Sequence, residues 1–176
     1  MNSIIEADKK RWGERKKIMF LAQYRFVYIK RKCEQWREKN VLVFAFYRAI
    51  YEKYKIKYMM DIPAKVKIGK GLRIEHIGGI VINPNATLGE NITLLNGVLI
   101  GAQNRGEKEG YPVIGDNVWI GTNAVIVGKI DIGNDVLIAP GAYVNFDVPS
   151  HSIVIGNPGK IIQRENATAG YIVNPC

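Results

Sequence analysis

The chain has two histidines, His76 and His151. An imidazole titrates near neutral pH, so it can take a proton from a hydroxyl and later return it to a leaving group. His76 directly follows an acid, Glu75. His151 lies in Asp147-Val148-Pro149-Ser150-His151, the last turn before the C-terminal segment, where a structural role is expected. His76 is therefore the candidate base. A second feature is the polar, glycine-containing stretch Ala102–Pro112 (AQNRGEKEGYP), which interrupts an otherwise regular pattern. Long loops inside a repeat domain are usually functional. Neither Cys33 nor Cys176 has the C-x-x-C spacing of a metal or redox site, so two free thiols in a reducing cytoplasm and no metal are expected.

The regular pattern must position these groups. Aliphatic side chains recur every six residues at Ile62, Ile68, Ile74 and Ile80. After a two-residue slip they recur at Ile82, Leu88, Leu94 and Ile100, and after the loop at Ile114, Ile120, Ile126, Ile132, Ile138 and Val144. A period of six fits neither an amphipathic helix nor an alternating strand. It marks a mainly β protein, a parallel β-helix of hexapeptides. Stacked coils would line up the aliphatics into one apolar column, with Gly or Asn at the corners accepting the backbone angles of tight turns. The β-helix is expected over 61–162, followed by a tail over 163–176.

Residues 1–60 are different. They hold 16 Lys/Arg against 6 Asp/Glu, and 12 of the 17 aromatic residues. With one glycine and no proline, this region reads as helical, from about Glu14 to Lys39 and from about Val41 to Tyr54, with Asn40 as cap or hinge. Three roles compete: packing on the end of the β-helix or assembly, contact with an anionic membrane surface or lipid-linked substrate, and nucleic-acid binding. The last is disfavoured because no recognition motif accompanies the charge. No secretory leader is expected, and the longest apolar run, Val41–Tyr47, is too short to span a bilayer. The reading is a cytoplasmic protein, peripheral at the inner membrane face if the basic helices bind lipid.

The repeats resemble those of the hexapeptide-repeat acyltransferases. The segments Asp61-Ile62, Ile74-Glu75-His76, Gly79-Ile80-Val81-Ile82, Val98-Leu99-Ile100-Gly101-Ala102, Pro112-Val113-Ile114-Gly115, Asp147-Val148-Pro149 and Gly156-Asn157-Pro158 resemble the serine O-acetyltransferase branch. The resemblance implies a left-handed parallel β-helix with three hexapeptides per coil, a homotrimer with sites between subunits, and acetyl-CoA as co-substrate. It implies that His76 is the base, oriented by Asp61, and that Glu75 contacts the acceptor or caps the turn. For coenzyme A it implies Ala102 at the thioester, where its N–H is a candidate oxyanion donor, Thr122 and Pro140 along the pantetheine, and Lys160 near the phosphates.

One departure stands out. Serine acetyltransferases carry Arg-His just before the loop's proline, and Gly110-Tyr111 stand there instead. The lost arginine would suit an amino-acid carboxylate. Arg105 is a candidate substitute, and Tyr111 a candidate for stacking or hydrogen bonding. The departure and the short helical region favour a sugar acceptor in capsule or exopolysaccharide assembly, as in related polysaccharide acetyltransferases. Serine O-acetylation for cysteine synthesis is the alternative, and a non-catalytic β-helical scaffold is the rival from another class.

Overall fold

The computed structural model describes residues 2–14 and 17–176. Its strands wind into a parallel β-solenoid of about five coils with three faces. The first face stacks β1 (Met60–Asp61), β4 (Ile80–Ile82), β7 (Leu99–Gly101), β10 (Val125–Val127) and β13 (Tyr143–Val144) in that order. The second stacks β2 (Lys67–Ile68), β5 (Thr87–Leu88), β8 (Val113–Ile114) and β11 (Asp131–Ile132). The third stacks β3 (Arg73–Ile74), β6 (Thr93–Leu94), β9 (Val118–Ile120), β12 (Val136–Ile138) and β14 (Ser152–Ile155), and β15 (Lys160–Gln163) closes it antiparallel. Every aliphatic of the six-residue series is buried, forming the expected column.

Register explains the two breaks in the period. Met60 pairs with Ile80, Val81 with Leu99, Leu99 with Val125, and Val125 with Tyr143. The successive coils thus span 20, 18, 26 and 18 residues. The surplus in the first coil falls in the corner between β3 and β4, where Gly78 and Gly79 take φ of 109° and 67°. Such angles are costly for residues with a Cβ. The third coil's surplus is the loop at 102–112. At another corner Asn91, Asn117, Asp135 and His151 all adopt φ between 54° and 58°, the left-handed turn that Asn and Asp tolerate best.

The N-terminal region is helical, with different breaks from those expected. It forms α1 (Asn2–Lys10), a short 3-10 turn (Ile18–Phe20), α2 (Ala22–Trp36) and α3 (Val41–Lys57). The helix expected to begin at Glu14 instead begins at Ala22, because Gly13 turns at positive φ and Leu21 is extended. Asn40 does cap α3: its side chain accepts from the N–H groups of Leu42 and Val43 at 3.0 and 3.1 Å.

These helices close the open end of the solenoid. The first coil has no coil before it, so its edge carbonyls lack ladder partners, a problem every solenoid end must solve. Buried side chains supply the donors. Lys30 Nζ bonds to Val66 O at 3.0 Å and Tyr51 Oη to Ile62 O at 2.7 Å. Arg31 reaches Ile68 O at 2.9 Å and Gly69 O at 2.6 Å, and Arg11 reaches Gly71 O at 2.8 Å. Part of the basic character of residues 1–60 is therefore structural.

The tail runs back along the third face as a strap. Asp135 accepts from Ala167 N, Thr168 N and Thr168 Oγ1, Tyr171 packs edge-on against Trp119, and Cys176 N bonds to Asn91 Oδ1. Arg11 and Lys10 hold the carbonyls of Val173 and Pro175, tying the strap to α1. His151 Nδ1 lies 2.9 Å from Asp135 Oδ2, so His151 belongs to this anchor, as its position suggested. That hydrogen bond raises the imidazole above its ordinary value despite slight desolvation. Partial burial alone would raise the Asp135 carboxyl, but the bonds from Thr168 outweigh it and hold the group low.

Candidate active site

His76 is exposed on the lengthened corner between β3 and β4. The corner's extra residues push it out of the column, where it can meet a substrate. Asp61 points outward from β1, opposite Val81, and its carboxylate takes an ion pair from Lys55 at 3.0 Å. Among the described residues no hydrogen bond or ion pair joins Asp61 to His76. By register Asp61 stands beside Val81, five residues beyond His76.

Glu75 is turned towards the helices. Its carboxylate sits 3.0 Å from the Arg73 guanidinium, and its backbone carbonyl accepts from Gln23 Nε2 at 3.1 Å. Arg73 itself stacks over Trp12 and donates to Arg11 O. The Glu75 backbone carbonyl thus fastens this corner to α2, while its carboxylate stays with Arg73.

Two rows of candidate residues emerge. His76, Thr122, Pro140 and Lys160 follow the corner between the third and first faces. Thr122 Oγ1 bonds to Asn96 Oδ1 at 3.1 Å, and Thr122 O accepts from Gly141 N at 2.8 Å, so the row is tied coil to coil. Ala102 and Arg105 lie at the opposite edge of the first face, in an open groove of about 590 Å³ completed by Gln103, Asn104, Val127 and Tyr143. His76 does not line that groove. One face separates the rows, roughly 20 Å for six extended residues at 3.3 Å each. A base must come within about 3 Å of the proton it takes. Within one chain His76 and Ala102 therefore stand too far apart to act on the same reacting atom.

The loop at 102–112 is a pinned arm. Gln103 and Gly110 exchange backbone hydrogen bonds at 2.9 Å each, and Lys129 N bonds to Lys108 O at 2.8 Å. Lys108 Nζ reaches Asp147 Oδ2 at 2.8 Å, and Asp147 also accepts from Asp131 N. The Lys108 bond, aided by the Asp131 N–H, holds the Asp147 carboxyl below the usual range. Tyr111 is exposed where the loop rejoins β8 and stands outside the groove. Lys108, Asp147 and Tyr143 were not singled out from the sequence. Tyr143 could have been: it precedes the inward Val144, as Asp61, Val81, Leu99 and Val125 precede theirs, so it must face outward on the same side.

The face between the two rows presents Val81, Leu99, Val125, Val127 and Tyr143. The third face lies under the strap, and the second presents Lys67, Thr87, Val113 and Asp131. Of the two faces without such a cover, the first is the apolar one, with Asp61 as the acid at its end.

Residues 111–145 match the bacterial transferase hexapeptide (six repeats) family. The chain is 37% identical over 123 residues to a serine acetyltransferase of Staphylococcus aureus, covering 70% of this chain and 58% of the relative. It superposes on the serine acetyltransferase of Neisseria gonorrhoeae in complex with serine, with 30% identity, a TM-score of 0.75, and coverage of 92% of this chain and 68% of that one. It also superposes, at 24% identity and a TM-score of 0.78, on the Brucella abortus serine acetyltransferase in complex with coenzyme A, covering 93% and 68%. The chain spans 35–58% of the length of the curated relatives it matches. These findings overturn the expectation of a sugar acceptor in polysaccharide assembly, since the relatives and structural neighbours are serine acetyltransferases. The missing Arg-His pair was too narrow a basis for changing the substrate class. The chain belongs to the hexapeptide-repeat transferases, in their serine-acetyltransferase-like branch.

Proposed function

We propose that this chain transfers an acetyl group from acetyl-CoA to the hydroxyl of serine, without an acyl-enzyme. The observation that carries the reading is the exposed His76 on a lengthened corner of a β-helix whose relatives are serine acetyltransferases. His76 takes the proton from the serine Oγ as it attacks the thioester carbon. The Ala102 N–H stabilises the resulting oxyanion. As the carbon–sulfur bond breaks, His76 returns its proton to the departing coenzyme A thiolate, so the base ends as it began. Thr122, Pro140 and Lys160 flank the pantetheine and phosphates. Arg105 is the guanidinium available in the groove for the serine carboxylate in place of the absent Arg-His pair.

The site is completed by a neighbouring copy. The His76 row of one protomer meets the Ala102–Arg105 row of the next across the apolar face. Such a contact joins unlike surfaces, so it closes into a ring rather than a two-fold dimer. A trimer fits three flat faces and matches the family's usual assembly. Joining protomers also offers Asp61 a new position relative to His76 of either chain.

The test is thiol release from acetyl-CoA with L-serine, D-serine, L-threonine, glucose and galactose as acceptors. Serine-dependent release far above hydrolysis, with no response to the sugars, is expected. No response to L-serine overturns the reading.

A further inference from the structure

Helix α3 carries an apolar stripe that none of the other described residues covers. Leu42, Phe46, Ala49 and Ile56 share one side of the helix with Lys53. Tyr51 occupies the opposite side and fixes α3 to the first coil through Ile62 O. Leu42 and Phe46 therefore face away from the solenoid at its helical end, while Ile56 borders the first face beside Asp61 and Val81. Its large side chains are among the most exposed in the protein: Leu42 is 78% exposed, Phe46 63% and Ile56 82%. Val41, at 74%, extends the patch around the first turn. An ordinary soluble surface scatters such side chains singly, and a contiguous row marks a docking surface.

The surrounding charge decides the occupant. Residues 37–57 contain six Lys/Arg and two Glu. Lys39, Lys53 and Lys57 are exposed around the stripe, and Arg37 and Glu38 stand at the turn before it. A second copy meeting this end would bring the same positive excess against it, which opposes pairing. An anionic lipid surface offers the opposite charge to the lysines and an acyl boundary to Val41, Leu42 and Phe46. Lys53, central in the stripe, has a stem long enough to lie along that boundary with its ammonium among headgroups. Among the described residues no helix is long and apolar enough to cross a membrane, so the contact is peripheral.

We infer that the outer face of α3 is a docking surface for anionic phospholipid, which seats the β-helix end-on with its helical cap against the membrane. The inference does not rest on acetyl transfer, and its test reads binding.

The full chain is sedimented with phosphatidylcholine vesicles containing about one-quarter phosphatidylglycerol, and with pure phosphatidylcholine vesicles. Binding to the anionic vesicles at low salt, reversed by about 0.5 M salt, is expected, with little on the neutral ones. Replacing Lys53 and Lys57 together by Gln weakens partitioning about 25-fold, taking each lysine at about fivefold. Replacing Leu42 and Phe46 together by Ser abolishes it at the same lipid concentration. Both pairs are exposed, so melting temperature and thiol release stay at wild-type values. Absence of binding to anionic vesicles at low salt overturns the inference. So does unchanged binding by the Leu42→Ser/Phe46→Ser variant. A wild-type particle that this variant shrinks, with no vesicle binding, would instead assign the stripe to a second copy.

Discussion

Replacing Arg31 by Ala is the sharpest structural test of how the solenoid end is closed. Arg31 is buried, with 1% of its side chain accessible, and its partner Asp8 is equally hidden at 2%. Its guanidinium bonds to both Asp8 carboxylate oxygens, at 2.7 and 3.3 Å, to Glu34 at 3.0 Å, and to the Ile68 and Gly69 carbonyls. Burial alone would lower the Arg31 group, but the Asp8 bond and charge outweigh it and hold it above its ordinary value. Truncation leaves Asp8 with backbone N–H donors alone, from Gly71 and Leu72, and leaves two edge carbonyls without theirs. Breaking a buried pair from one side costs about 3–5 kcal/mol. That is a large share of the roughly 5–15 kcal/mol that holds a typical domain. The assay is urea unfolding at fixed protein concentration, because any assembly makes apparent stability concentration-dependent. An Asp8→Asn/Arg31→Met pair removes both charges and keeps an oxygen for Leu72 N–H, so it should cost clearly less than Arg31→Ala. A loss below about 1 kcal/mol for Arg31→Ala, or a double variant no better than the single one, would refute the reasoning.

Three further outcomes follow from the geometry. The strap anchor is strongest between about pH 4 and 6.5: the lowered Asp135 contributes above the unfolded carboxylate range, and the raised His151 contributes below the unfolded imidazole value. Tryptic cleavage in the tail, corrected for the enzyme's own pH profile, should therefore speed up as pH climbs past His151's folded value, and Asp135→Ala should cut fast at every pH. Substituting Val125 and Val127 together by Glu puts charge on the apolar first face; sedimentation should report a monomer, and serine-dependent thiol release should disappear with assembly. Arg105→Gln should raise the KM for serine by about 10- to 100-fold, the worth of one charge-assisted hydrogen bond, with the KM for acetyl-CoA unchanged; an unchanged serine KM would remove Arg105 from the acceptor site.

The solenoid was legible because one requirement, an aliphatic in every hexapeptide, repeats in the chain from Ile62 to Val144. The Asn40 cap was legible for the same kind of reason, since its chemistry is local. The buried Arg11, Lys30 and Arg31 were not. Their partners are backbone carbonyls of the first coil, which leave no mark in the residue types, and a Lys/Arg-rich stretch ordinarily reads as solvated. The strap escaped notice similarly: Asp135 looks like any corner residue until Thr168 returns to it from 33 positions away. For the candidate site, residue types singled out His76 and the loop, but not that the two candidate rows lie on opposite edges of one face. That follows from coil register, which the slip near residue 80 shifts. The acceptor inference failed because two residues of a loop were weighed above a scaffold of about a hundred.

The central claim is that His76 is the base for acetyl transfer to serine. It is tested most directly by steady-state thiol release from His76→Ala at saturating L-serine and acetyl-CoA, with coenzyme A affinity measured on the same preparation. The kcat should fall by about 10²- to 10⁴-fold while coenzyme A binds as in the wild type. Serine acetylation by His76→Ala at the wild-type rate would contradict it.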